Sequence, residues 1–135
     1  MVSLDIVLYN SRSMVDWQPI SEAALRKRIA QGVKRMDAKA HRLWDAIRIE
    51  PEKWRLSPYG DAGGGFWVVA IIGRSAIWYN DIDEGFNRSR YSEYGRIEDY
   101  WRNDDELEVT LGYLMSALEC GADLLSLRKP ARRPR

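Results

Sequence analysis

Residues 66–82 place the tightest constraint on how this chain can fold. Phe66-Trp-Val-Val-Ala-Ile-Ile is a continuous apolar run. It is far too short to span a bilayer and has the length of one strand. Without alternation, such a run reads as a central strand covered on both faces. Ser75 to Ile82 is a second stretch of strand formers, and Gly73-Arg74 stands between the two. A two-residue Gly-X connection is the signature of a type II′ β-hairpin.

The flanking sequence supplies the other elements. Residues 3–9 (Ser-Leu-Asp-Ile-Val-Leu-Tyr) are rich in strand formers, and Asn10 to Pro19 reads as a loop. Ser21 is a suitable helix N-cap with Glu22 in the first turn. Leu25, Ile29, Val33 and Met36 then recur at three and four residues, which predicts a helix of about four turns whose last turn Gly32 weakens. Leu43 to Ile49 alternates as a strand would, and Glu50-Pro51 is expected to end it. Asn103 and Glu106 form an Asn-x-x-Glu capping box enclosing Asp104 and Asp105. Leu107, Leu111, Leu114, Met115 and Leu118 make the apolar stripe of the helix that follows, with Gly121 at its C′ position. Residues 128–135, basic and Pro-containing, read as a disordered tail. The expected fold is α+β: a small antiparallel sheet of three to four strands packed against two helices, in the order β-α-β-β-β-(long loop)-α. Residues 1–127 form one domain.

Composition narrows the function classes. Lys plus Arg is 21 and Asp plus Glu is 20, which argues against a bulk electrostatic partner such as nucleic acid. The single cysteine, Cys120, rules out an intramolecular disulfide and reads as a buried structural thiol. The single histidine, His41, has no companion at metal-ligand spacing, so no zinc site is expected. Asp81, Asp83 and Glu84 lack the EF-hand pattern and read as solvated acids. Gly60-Asp-Ala-Gly-Gly-Gly65 leads into a strand and matches no phosphate-binding glycine pattern. It reads as a flexible lead-in to the strand, or as a place where backbone packs beneath Trp54 or Tyr59. No cofactor is expected. Residues 1–10 lack the layout of a signal peptide, and a cytoplasmic protein is expected.

The segment from Trp78 to Trp101 stands out. From Asp83 to Arg102 it shows no helix or strand period, and loops of this length are uncommon in compact domains unless functional, self-packed or disordered. Its aromatic content argues against disorder. Tyr, Trp and Arg are also the residues enriched at interface hot spots. Trp78, Tyr91, Tyr94 and Trp101 are candidate anchors where exposed. Asp81, Asp83, Glu84, Glu93, Glu98 and Asp99 are candidate acidic complements, and Arg88 and Arg90 complete the candidate partner-binding set. The competing role is a loop packed on the sheet that covers an edge strand.

The stretch Trp78-Tyr-Asn-Asp-Ile-Asp-Glu-Gly-Phe-Asn-Arg-Ser-Arg-Tyr91, with Phe66 to Gly73 before it and Ile97-Glu-Asp-Tyr-Trp101 after it, resembles a family of small uncharacterised bacterial proteins. In size and layout the chain is also similar to small immunity proteins that neutralise bacterial toxins. That likeness implies a non-enzymatic cytoplasmic protein-binding module using segment 78–101 against a toxin domain. Two other classes stand beside it. One is a small hydrolase or ligand-binding enzyme using the same acids with Arg88 or Arg90 around a cleft. The other is weak RNA binding through the basic face of the first helix (Arg26, Lys27, Lys34, Arg35) and the tail (Arg128, Lys129, Arg132, Arg133, Arg135).

Overall fold

The computed structural model describes residues 17–120. The strand expected over residues 3–9, the C′ position of Gly121 and the basic tail 128–135 lie outside the described residues. Strands β1 (Arg48–Trp54), β2 (Phe66–Ile72), β3 (Ser75–Asn80) and β4 (Gly85–Arg90) form one antiparallel sheet in sequence order. With helices α1 (Glu22–Lys34), α2 (Ala38–Ile47) and α3 (Leu107–Glu119), this is a small α+β fold. The expected hairpin joins β2 to β3 with Ile72 opposite Ser75 and Gly73 at φ 58. Positive φ at the first turn residue is what a type II′ turn demands. β3 stops at Asn80, two residues before the expected Ile82, because the Asn80 side chain accepts the amides of Ile82 and Asp83 and turns the chain.

Both faces of the sheet are covered. Val69, Ile77, Tyr79 and Phe86 pack with Leu25, Trp44, Ile47, Leu107, Leu111 and Leu114 beneath the helices. Phe66, Val68, Ala76 and Trp78 face the other way and pack with Trp54, Leu56 and Ile97. A register shift between Val68 and Ala70 puts both Val69 and Ala70 on the helix side, as a bulge does. Every residue of β3 is buried.

Several sequence expectations are corrected. Residues 43–47 belong to α2, not to a strand. Ala40, Trp44 and Ile47 bury one side at helical spacing, and Asp37 caps the helix by accepting the Ala40 amide at 2.8 Å. The apolar residues there satisfy both periods, and the upstream cap favours the helix. Glu50-Pro51 does not end β1, which runs on to Trp54. Pro51 falls where the pairing with β2 is irregular, between Arg48 and Glu52, on an edge strand where its missing N–H is tolerated. α1 is capped as expected, Ser21 Oγ accepting the Ala24 amide, but only Leu25 of its expected apolar face is fully buried.

The Asn-x-x-Glu box does not start α3. Glu106 is the N-cap, without a side-chain cap bond. Residues 103–105 instead run along β4: the Phe86 amide donates to the Asp105 carbonyl at 2.8 Å, and the Asn103 amide donates to Asn87 Oδ1 at 2.9 Å. An edge strand with unpaired main-chain groups outcompetes the cap for this segment. Cys120 is exposed rather than buried, since the fully buried residues of α3 end at Leu114.

The supposedly structureless stretch 83–102 begins with a regular strand, β4. Its alternation is disguised because Asn87 and Ser89 are polar yet buried on the face away from the helices. Asn87 gives and takes hydrogen bonds with Asn103, and Ser89 donates to the Asp99 carbonyl at 2.7 Å. A polar side chain that is hydrogen-bonded inside leaves no hydrophobic period to read.

Candidate binding surface on the loop layer

The face of the sheet opposite the helices is roofed by two stretches, residues 55–65 and 91–105. The first turns sharply after β1. Leu56 pairs with Tyr59, the Ser57-Pro58 peptide is cis, and Asp61–Gly63 forms a short helical turn. The glycine-rich lead-in is tightly packed. A Cβ on Gly65 would lie 2.2 Å from the Trp54 carbonyl oxygen, and Gly65 has φ 112, so this backbone contact is open to glycine alone. Lys53 Nζ donates to the Gly63 carbonyl.

The second stretch crosses from the hairpin tip to the end of β1 and back to β4. The Tyr91 amide donates to the Arg74 carbonyl, and its hydroxyl donates to the Gly73 carbonyl at 3.0 Å. Arg55 and Arg96 form a parallel bridge: the Arg55 amide donates to Gly95, and the Ile97 amide donates to Arg55, each at 2.9 Å. The Glu98 amide then reaches the Arg90 carbonyl at 3.1 Å. Aromatic rings pair along this stretch, some of them open to solvent. Tyr91 meets Trp54 edge-on, Tyr94 lies tilted on Trp54 at 4.8 Å, and Tyr100 stacks on Tyr59 at 3.8 Å.

Most of the expected partner-binding residues serve this architecture. Trp78 is fully buried and donates to Ser89 Oγ at 2.9 Å, so it offers no surface to a partner. Asp81 accepts the Ile20 amide at 2.7 Å, and its carbonyl accepts Trp17 Nε1. Burial pushes the Asp81 carboxyl above the usual carboxylate range, against the Ile20 amide and Lys53, which pull it down. Asp83 accepts the Tyr100 hydroxyl and lies 3.5 Å from Arg102. Burial raises the Tyr100 hydroxyl to about 12. Glu84 takes φ 57 in the β3–β4 turn, 3.9 Å from Arg28. Arg90 sits within 3.0 Å of Glu98 and 3.2 Å of Asp99, the latter nearly buried. Arg88 is half-buried, and burial lowers its pKa. Tyr91 and Trp101 are half-buried as well, and the Trp101 carbonyl accepts Asn80 Nδ2. Tyr94 alone among the candidate anchors is open, with 63% of its surface exposed.

A cavity of about 550 Å³ opens in the roof. Arg55, Ser57, Ser92, Arg96 and Glu98 surround it, over the apolar Leu56 and Ile97. Of these only Glu98 is legible as a site residue in the sequence. Arg55 and Arg96 meet solely through the parallel bridge, a pairing that leaves no local signature. A second groove of about 620 Å³ lies between α1 and β1, floored by Ile29, Val33, Trp44 and Ile49 with Lys27, Lys34 and Arg48 at its rim. The carboxylic acids pushed above their usual range, Asp81 and Asp105, line neither cavity. Among the described residues no three His, Cys, Asp or Glu side chains gather to hold a metal ion, and no helix is long and apolar enough to cross a membrane. Comparison of the chain with protein-family models, with curated proteins and with solved structures finds no match.

Proposed function

We propose that this chain is a non-enzymatic cytoplasmic protein-binding module, of the kind that neutralises a toxin domain by covering it, and that it binds through the roof formed by residues 91–98. The observation that carries this reading is Tyr94. Its ring rests on Trp54 and its hydroxyl donates to Glu52 at 2.7 Å, yet 63% of the residue faces solvent. An aromatic held in one orientation loses little entropy when it docks, which is what interface anchors require. The acids expected to attract a basic partner are largely engaged with Arg28, Arg90, Arg102 and the Ile20 amide, so the reading rests on the aromatic anchor and not on acidic steering. The enzyme alternative draws no support from the two cavities. The RNA alternative is weakened at α1, where Arg26 pairs with Glu22 and Glu50, and Arg35 with Glu108.

The test is capture with crosslinking from the native host, comparing the full chain with Tyr94→Ala at matched denaturation midpoints. The expected outcome is one recurrent protein partner whose affinity falls by about tenfold or more in the variant, the loss of a hot-spot residue. No recurrent partner after crosslinking, or equal capture by Tyr94→Ala, overturns the proposal.

A further inference from the structure

We infer that the cavity between Arg55 and Arg96 is a receptor for one carboxylate, the side chain of an aspartate or glutamate on the protein partner proposed above, and the inference rests on that reading. The parallel bridge holds these two arginines side by side. Like charges fixed as neighbours repel unless an anion sits with them. Elsewhere on this surface the arginines are answered: Arg90 has Glu98 and Asp99, and Arg102 has Asp83. Here they are not. Among the described residues the Arg55 guanidinium makes no ion pair or hydrogen bond, and Arg96 has one contact, to Glu93 at 3.3 Å, with both groups largely exposed. Ser92 adds an unengaged hydroxyl at the wall, whereas Ser57 donates its own to Asp61.

The lining also selects the anion. Glu98 stands in the wall, and two of its other residues, Arg96 and Ser57, contact Glu93 and Asp61. A phosphate dianion would meet these carboxylates, whereas a monoanionic carboxylate matches the one wholly unanswered guanidinium. Guanidinium and carboxylate can form two parallel N–H···O bonds. Leu56 and Ile97, 8% and 2% exposed, give the floor an apolar surface suited to the methylene stem of an acidic side chain.

The experiment titrates the full chain with a capped tetraglutamate peptide at constant ionic strength. Backbone amide and arginine Nε–H signals are followed by NMR. Expected are saturable shifts confined to residues 55–57 and 92–98, no response to capped tetraglutamine, and binding about tenfold weaker in Arg55→Gln, the loss of one charged contact. Arg74→Gln, at the hairpin tip, leaves binding unchanged. Shifts spread evenly over exposed arginines such as Arg42 and Arg74, unaltered binding in Arg55→Gln, or tighter binding of inorganic phosphate each overturn the inference. Failure here with Tyr94-dependent partner capture intact removes the receptor and leaves the proposed surface. A confined peptide response with no partner captured leaves a carboxylate site and removes the protein-partner reading, and with it the partner's side chain as the ligand.

Discussion

At the scale of single residues, Asp81 joins distant parts of the chain. It fixes Trp17 and Ile20, which lead into α1, to the turn after β3. Its carboxyl is pushed up by burial, so the folded protein holds that proton more tightly than the unfolded chain does. The stability linked to the group is therefore fully present below the ordinary aspartate value of about 4 and is lost as pH rises through the folded value. Asp81→Asn keeps an acceptor for Ile20 and lacks the titration. The stability of the wild type relative to this variant should rise as pH falls from 7 to 4, read from urea midpoints at each pH. A difference that stays flat, or shrinks on acidification, contradicts the assignment. The roles of Asp81 and Trp78 were illegible in the sequence for one reason: an acid or a tryptophan is written the same way whether it serves the interior or a partner. Tyr94 was legible as a candidate anchor, and its exposure is what separates it from the other aromatics of its segment.

At the scale of elements, the return of residues 98–105 along β4 is the feature that local signals did not announce. It depends on Gly85, where a Cβ would lie 2.2 Å from both the Asn103 carbonyl oxygen and the Asp104 Cα. These are backbone atoms and cannot swing aside. Gly85→Ala should displace residues 103–105 from the edge, breaking the Phe86–Asp105 and Asn87–Asn103 hydrogen bonds. A destabilisation of about 2–4 kcal/mol follows from losing several buried bonds at once. In hydrogen exchange, protection of the Phe86 and Asn103 amides should collapse while β2 and β3 keep theirs. An Asn103 amide still protected in the variant contradicts this account. The hairpin was readable because Gly73-Arg74 separates two strand-length runs, and α3 because its apolar stripe keeps one period over many residues. α2 and β1 were misassigned because Leu43 to Ile49 fits two periods at once, and β4 because its polar face is satisfied inside.

At the scale of the whole molecule, one sheet is shared by two cores, so each depends on the other. Leu111 is fully buried on the helix side and Ile97 is 2% exposed beneath the roof. Leu111→Ala and Ile97→Ala should each lower stability by about 2–5 kcal/mol. Both should shift one common transition, with near-UV and far-UV circular dichroism coincident. A roof that melts in a separate early step after Ile97→Ala contradicts this picture. Tyr113→Ala, at a 59% exposed position, should change stability by less than about 0.5 kcal/mol. The α+β class was legible because covering both faces of a seven-residue apolar run requires layers on either side. The polar roof carries few of the signals by which layers are recognised.

The covered edge of β4 has a consequence for how this molecule meets others. With residues 98–105 laid along one side of the sheet and Pro51 interrupting the donors on the other, the described residues give a neighbouring chain no clean main-chain template. Growth of the sheet from molecule to molecule, the step that seeds fibrils, is hindered at both ends. A partner that binds this chain must therefore read it through side chains, and its specificity can change by substitution without any change in the order of the strands.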